Sequence, residues 1–404
     1  MDPQLFEHST TGSLVTITGT DARAREYKHV AFQPYPLGSS EPALTGTTWR
    51  AVSEARGALG RLGQAGRQIP DPSLLRQPTL RAEAQSTSAL EGTFAPLDDV
   101  LAADLAEPEA RSASLREVLN YVEAAETAFA SLDEGRPLSA VSLCEIHQVL
   151  VRGTPAETSD AGRIRRVQVA IGGHGGALHT ARFVPPPPGV ELEAAVRDLM
   201  DWVGSTSRAL DPVVAAAMAH YQFETLHPFN DGNGRIGRLL VVLHLVASGA
   251  LTHPLLTISP WFEHRRGEYQ DRLRAVSSDG HWDGWIGFFA TGLAESCHQT
   301  LRTVEDLLGV QAAYTDQIRA AGLTGGLVRD IADRLIGNPF VTATSVSGLT
   351  GKTPQAARNA ILRLVEIGVL RERTRRSYAR AYEAPDVLDI LRRQSSPDRS
   401  APDT

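Results

Sequence analysis

The stretch that most constrains the fold of this chain lies between residues 211 and 251. Asp211 followed by Pro212 is a strong helix start, an acidic cap before a proline at the first helical position. Val214, Met218, Tyr221 and Leu226 recur on roughly one side of the helix that follows, which runs into His227 and the polar segment HPFNDGNGRIGR. A second helix runs from near Arg235 to about Ser248. Its region holds the most apolar run of the chain, LLVVLHLVASGAL, from Leu239 to Leu251. That run is too short to span a bilayer and contains His244, so it reads as a buried core helix.

The rest of the chain is patterned mainly as helix. Residues 1 to 45 are mixed and rich in turn formers, which predicts irregular structure. From Trp49 a helical face carries Trp49, Val52, Leu59 and Leu62. Pro70 and Pro72 break the chain and open another helix through Leu74 and Leu75 towards Leu80, with Pro78 as an expected interruption. Two helical patterns fill residues 115 to 152, separated by a turn at Gly135 and Pro137. The alternation of Val167, Val169 and Ile171, followed by Gly172 and Gly173, predicts a short strand and hairpin, ended by the four prolines from Pro185. A helix is expected over about 191–203. Ser259 and Pro260 start one that runs through Tyr269 and Leu273, and Trp282, Trp285, Phe288 and Phe289 belong to the next.

A boundary falls at 320–326. Beyond it, helix (341–349), turn, helix (353–367) and two strands around the basic turn of VLRERTRRSYARAYEA give the layout of a winged helix. The tail QSSPDRSAPDT is polar and is expected to be disordered.

Bulk properties exclude several classes. A formal net charge of −7 argues against a general nucleic-acid coat or a polybasic membrane binder. The two cysteines, Cys144 and Cys297, lie far apart and form no metal-ligand spacing or disulfide framework. The first residues, MDPQLFEHSTTG, lack the charged start and apolar core of a signal peptide. A cytoplasmic location and no membrane association are the expectation.

HPFNDGNGRIGR gathers residue types with complementary chemistry. Gly232, Asn233 and Gly234 can aim successive amides at one point, an anion-binding nest. The helix that follows adds its first N–H groups and the positive end of its dipole. Arg235 and Arg238 are bidentate phosphate donors. Asp231 can hold Mg2+, which prefers one or two carboxylates plus substrate phosphate. His227 can take a proton from an attacking hydroxyl. Together they suit in-line attack on a nucleotide phosphate.

The segment resembles the signature of the Fic family, HPFxxGNGRxxR, at every fixed position. The resemblance implies a mainly α fold: a Fic helical core with a small β-hairpin flap, followed by a C-terminal winged helix-turn-helix. It implies a protein adenylyltransferase that moves AMP from ATP to a Ser, Thr or Tyr hydroxyl. His227 would be the base and Asp231 the ligand of Mg2+, with Mn2+ as an alternative. Gly232, Asn233, Gly234 and Arg235, with Ile236 and Gly237 in the same turn, would bind the α- and β-phosphates. Arg238 would meet the γ-phosphate, and Phe229 would anchor the loop. SPWFEHRRGEYQDRL is similar to the family helix whose tyrosine contacts adenine, which makes Tyr269 a nucleotide candidate. RFVPPPP after a glycine-rich hairpin is similar to the flap that docks a target peptide, placed here near 170–180.

EAQSTSALEGT resembles the family's inhibitory motif, at Thr87, Glu91 and Gly92. A glutamate paired with Arg238 would occupy the group that orients the γ-phosphate. The resulting division is an N-terminal helical region with the inhibitory helix (1–110), the catalytic core (111–320), the winged helix (325–391) and a tail (392–404). Gln355, Arg358, Asn359 and Arg363, with Arg371, Arg373, Arg375 and Arg376 around the wing, would supply phosphate contacts if 341–383 binds DNA. A protein-binding or dimerising role fits that module equally. Self-modification and a homodimer are compatible with the brake. Three other functions remain open. One is kinase-like transfer, as in the related Doc toxins, which carry a lysine or another residue where this chain has Gly234. Another is transfer from a different nucleotide, such as UTP or a CDP-linked donor. The third is a DNA-binding regulator.

Overall fold

The computed structural model describes residues 1–20, 26–69, 71–105, 111–172, 178–323, 325–373 and 380–395, without the side chains of Thr20, Gln68 and Ser395. Strands β1 (Gly12–Thr20) and β2 (Glu26–Pro34) come first, followed by helices α1 (Gly46–Gln68), α2 (Ser73–Leu90), α3 (Leu97–Leu101), α4 (Ala113–Asp133) and α5 (Ala140–Val151). Helices α6 (Val190–Gly204), α7 (Pro212–Leu226), α8 (Asn233–Ala247), α9 (Ser259–His264), α10 (Arg266–Asp279) and α11 (Trp282–Ala320) follow. The C-terminal part holds α12 (Gly326–Arg334), β3 (Phe340–Val341), α13 (Ala343–Thr350), α14 (Pro354–Glu366), β4 (Arg371–Glu372), β5 (Tyr382–Glu383) and α15 (Pro385–Ser395).

The chain forms two compact units that do not follow chain order. The first comprises residues 1–60, 120–254 and 261–295; the second comprises 61–119, 255–260 and 296–404. In the first, α7 and α8 pack together and are buried around their whole circumference, as helices that are apolar on every side must be. Asp211 caps α7 by accepting from the amides of Val213 and Val214, as the sequence led us to expect. Phe262, Tyr269, Trp285 and Phe289 form an aromatic shell beside His220, and Trp285 Nε1 donates to the Ala217 carbonyl at 2.9 Å.

Five expectations need correction. Residues 1–45 are irregular only in part, as at 35–45: β1 and β2 pair antiparallel from Gly12 opposite Pro34 to Thr20 opposite Glu26. The β-branched run Val15-Thr16-Ile17-Thr18 favours strand, and Ile17, Ala31 and Phe32 seat this sheet on Phe6 and Val184. Trp49 is exposed; the buried face of α1 begins at Thr48, and Val52 is its first buried apolar residue. Pro78 lies inside an uninterrupted α2. The helix expected from Ser259 through Leu273 breaks at Arg265, which leaves helical geometry at φ −115° and ψ 28°.

The strand expected at Val167–Ile171 is reduced, among the described residues, to one bridge between Ile171 and Phe183. Gln168 reaches across to the Pro185 carbonyl with its side-chain amide, and the prolines opposite carry no N–H for a ladder. The tip of the expected flap, 173–177, lies outside the described residues, as do Pro70, Arg375, Arg376 and the tail from 396.

In the second unit, α12, α13, α14 and α15 close around Leu335, Phe340, Ile361, Leu364 and Leu388. A three-stranded sheet runs in the order β3-β5-β4. α15 is fixed to α3 by a fork of Arg392 on both oxygens of Asp98, which holds that carboxyl below the ordinary range. Deeper, the Glu83 carboxylate of α2 accepts from the backbone amides of Ile258 and Ser259 and from the Ser259 hydroxyl. Glu83 is 2% exposed, so these donors have no recourse to water. Glu83→Ala is expected to destabilise the protein by about 3 kcal/mol, and Glu83→Gln by less, read as lowered thermal transitions.

Candidate active site

The loop between α7 and α8 is shaped by backbone geometry first. His227 ends α7 as its C-cap with φ 47° and ψ 60°, the left-handed region, and is the sole non-glycine residue with positive φ among those described. Such a conformation costs about 1 kcal/mol for a residue with a Cβ, so its surroundings must enforce it. Three contacts do so. The His227 N–H donates to the Phe223 carbonyl at 2.9 Å. Arg165 Nε donates to the His227 carbonyl at 2.8 Å. The Arg165 backbone N–H donates to the Pro228 carbonyl at 2.8 Å.

The half-buried imidazole has Nδ1 3.3 Å from the Glu224 carbonyl. A carbonyl can only accept, so this contact calls for Nδ1–H and leaves Nε2 as the basic nitrogen.

Asn233, 2% exposed, locks the loop by bonding the Phe229 backbone twice: Oδ1 accepts from its N–H and Nδ2 donates to its carbonyl, each at 2.8 Å. The Phe229 ring is buried and stacks on His147 with centroids 4.1 Å apart and planes 7° from parallel, in line with an anchoring role. Gly232 precedes α8 with φ 80°, and a Cβ there would fall 2.8 Å from Leu150 Cδ2. No side chain caps this helix start, and its first internal bond is Ile236 N–H to the Gly232 carbonyl. The amides of Asn233, Gly234 and Arg235 therefore belong to the first turn, where an anion is favoured.

Charge is arranged around that turn. Arg235 is buried and donates from Nη2 to Asp231 Oδ1 at 2.8 Å, while the Asp231 side chain stays 54% exposed. A largely exposed single carboxylate beside an uncapped helix start fits Mg2+, which keeps waters and substrate oxygens as its other ligands. No cluster of three or more His, Cys, Asp or Glu able to hold a metal by themselves occurs among the described residues. Arg238 is buried in the second turn of α8. Tyr269 is 5% exposed and its hydroxyl meets His220 Nε2 at 2.7 Å, while His220 Nδ1 meets the Gly237 carbonyl at 2.9 Å. Those bonds connect Tyr269 to α8 through His220.

Thr87, Glu91 and Gly92 lie in the second unit. Thr87 is fully buried near the end of α2, and Glu91 is its exposed C-cap. Gly92 has φ 92°; its N–H bonds the Ala89 carbonyl and the Thr93 N–H bonds that of Ser88. These two bonds make a Schellman ending, for which a left-handed glycine is the natural residue. Part of the EGT pattern is thus a helix stop, which holds Glu91 in a fixed place.

Arg165, His147 and His220 escaped the sequence reading. His220 carried a faint signal as a polar residue inside the apolar run VVAAAMAHYQF. Arg165 carried none, since the three arginines of GRIRRVQV look alike.

The helical core, the small antiparallel sheets and a glycine-rich turn between two buried helices define a Fic fold. Residues 49–130 match the model of the Fic/DOC family N-terminal region, and residues 137–245 match that of the Fic/DOC family. The chain belongs to the Fic/DOC family.

Among its relatives, protein adenylyltransferase fic-1 of Caenorhabditis elegans is 40% identical over 114 residues, 28% of this chain and 20% of that protein. Protein adenylyltransferase Fic of Drosophila willistoni is 34% identical over 174 residues, 43% of this chain and 30% of the relative. The match thus spans less than a third of either protein. The crystal structure of a Fic family protein from Desulfovibrio desulfuricans G20 shares the fold, with a TM-score of 0.55 at 23% identity over 85% of this chain and 97% of that one.

The buried histidines set an acid limit on stability. Burial lowers their pKa values from the ordinary 6.5 to about 4 for His147, about 3 for His220, where Arg238 acts in the same direction, and about 4 for His244. An unfolded chain takes up these protons below pH 6.5, whereas the folded chain does not. The stabilisation is complete above about pH 7 and is lost as the pH falls through that window. The thermal transition is expected to be flat from pH 7 to 8 and to drop between pH 6.5 and 4, with a shallower drop in His244→Leu.

Proposed function

We propose that the protein is an adenylyltransferase that moves AMP from ATP to a Ser, Thr or Tyr hydroxyl of a protein. The observation that carries this reading is the held geometry of His227. A left-handed C-cap histidine, with Nδ1 committed to a carbonyl, stands beside an uncapped helix start rich in amides. In the reaction, the target oxygen attacks the α-phosphorus as Nε2 of His227 takes its proton. The bond from that phosphorus to the oxygen bridging to the β-phosphorus breaks, and pyrophosphate leaves with the electron pair.

The first turn of α8 and Arg235 hold the α- and β-phosphates, and Arg238 orients the γ-phosphate. Asp231 would hold Mg2+, whose charge would offset that of the phosphate oxygens. Gly234 leaves the α-phosphate nest uncrowded, which favours AMP transfer over kinase-like transfer of the γ-phosphate. The target is assigned to the segment near 170–180, with Ile171 and Phe183 at its described stem. Glu91 is assigned as the brake on Arg238 from the inhibitory pattern it shares with Thr87 and Gly92.

The segment from α12 to α15 is assigned as a winged helix. Gln355, Arg358, Asn359 and Arg363 are exposed on α14, as a DNA-facing helix requires. The described arginines of the wing have internal partners. Arg371 pairs with Glu383, and Arg373 lies over the Phe340 ring and 3.7 Å from Asp99. These internal bonds favour the protein-facing role of the module over the DNA-facing one.

Intact mass after incubation with ATP and Mg2+ tests the assignment. Wild type is expected to gain one AMP through self-modification or to transfer it to an added target. His227→Ala is expected to lose at least about 100-fold of that rate while keeping its thermal transition. Glu91→Gly is expected to gain up to about 100-fold, as relief of a misaligned phosphate would give. A gain of one phosphate in place of AMP would move the protein to the kinase-like branch, and unchanged labelling in His227→Ala would remove the histidine from the role of base.

A further inference from the structure

Arg165 is 1% exposed, and the partners found for its guanidinium are all backbone carbonyls. Nε donates to the His227 carbonyl at 2.8 Å, Nη1 to that of Val167 at 3.1 Å, and Nη2 to those of Pro186 at 2.6 Å and Leu226 at 3.4 Å. Burial alone lowers its pKa to about 10, so it remains a cation at neutral pH. A buried cation lacking a carboxylate is costly, and an apolar residue of similar volume would suit stability as well or better. What the guanidinium supplies is a rigid planar fan of donors, which lysine lacks. Two of its acceptors are the last carbonyls of α7, the negative end of that helix. The other two lie on the two arms of the segment 167–186, before and after the bridge of Ile171 with Phe183. One side chain thus bonds both the backbone of the left-handed His227 and the stem of the neighbouring segment.

We propose that Arg165 is a positioning residue that fixes the orientation and tautomer of the His227 imidazole and ties it to the stem formed by Val167 and Pro186. The role rests on the proposed transfer reaction for its kinetic consequence, but not for its structural one. If the His227 backbone shifts, Nδ1 loses its bond to the Glu224 carbonyl and Nε2 is no longer fixed as the basic nitrogen.

The decisive measurement is nitrogen-15 NMR of the full chain with labelled histidine. The His227 signals are assigned by their loss in His227→Ala. Wild type is expected to show His227 as the Nδ1–H tautomer. Arg165→Lys keeps the charge but cannot reach four carbonyls, and Arg165→Met keeps only the stem. Both are expected to show averaging between tautomers at His227 while the other buried histidines stay unchanged. In the mass assay, Arg165→Lys is expected to lower kcat about 100-fold with KM for ATP unchanged.

A wild-type His227 spectrum in either folded variant would overturn the proposal. So would loss of the cooperative thermal transition in both variants, which would make the guanidinium a fold-holding group only. If wild type transfers nothing, the proposed reaction fails, and the NMR comparison still decides the role of Arg165.

Discussion

A left-handed residue between two buried helices has to be held from outside itself, and the site depends on how His227 is held. α7 and α8 cannot shift to accommodate it, because each is packed on every side. The turn between them is therefore determined by a few directed bonds: Arg165 on the His227 and Pro228 carbonyls, and Asn233 on both backbone groups of Phe229. Those bonds put the imidazole and the amides of the α8 start in place before any ligand arrives. For the transfer proposed above, geometry formed in advance is an advantage, because little reorganisation is left for the reaction step.

The parts of the fold that were legible in the sequence are those set by local chemistry. Asp211-Pro212 placed the start of α7. The glycine-rich turn and its chemistry could be read because glycine, histidine and arginine have few reasons to occur together. The parts that were not legible depend on distant partners. β2 looks like a loop until β1 and Phe6 cover it, although the β-branched run of β1 carries a strand signal of its own. Val167 to Ile171 alternates like a strand, yet the chain opposite offers prolines and the alternation finds no ladder.

The same division separates the site residues. His227 and Asp231 could be named from the motif, whereas Arg165 and His220 could not, because their roles lie in which carbonyl or hydroxyl they meet across the fold. Glu83 is a similar case in the second unit: an acidic residue in a helix, otherwise unremarked, that caps backbone amides about 175 residues away in sequence. Polar side chains that bond buried backbone recur through this protein. Their identity is fixed by the count and direction of donors rather than by charge alone.

Asn233 followed by Gly234 has a consequence for the lifetime of the molecule. An asparagine before glycine is the dipeptide most prone to lose its side-chain amide, through attack on it by the following backbone nitrogen. Here that amide is buried and bound at both ends to Phe229, and the backbone is already helical, so the cyclic intermediate cannot form. In an unfolded chain nothing prevents it. The product would be an aspartate that can no longer donate to the Phe229 carbonyl. Folding thus protects the loop from chemical ageing, and a chain that stays unfolded for long loses the residue needed to rebuild it.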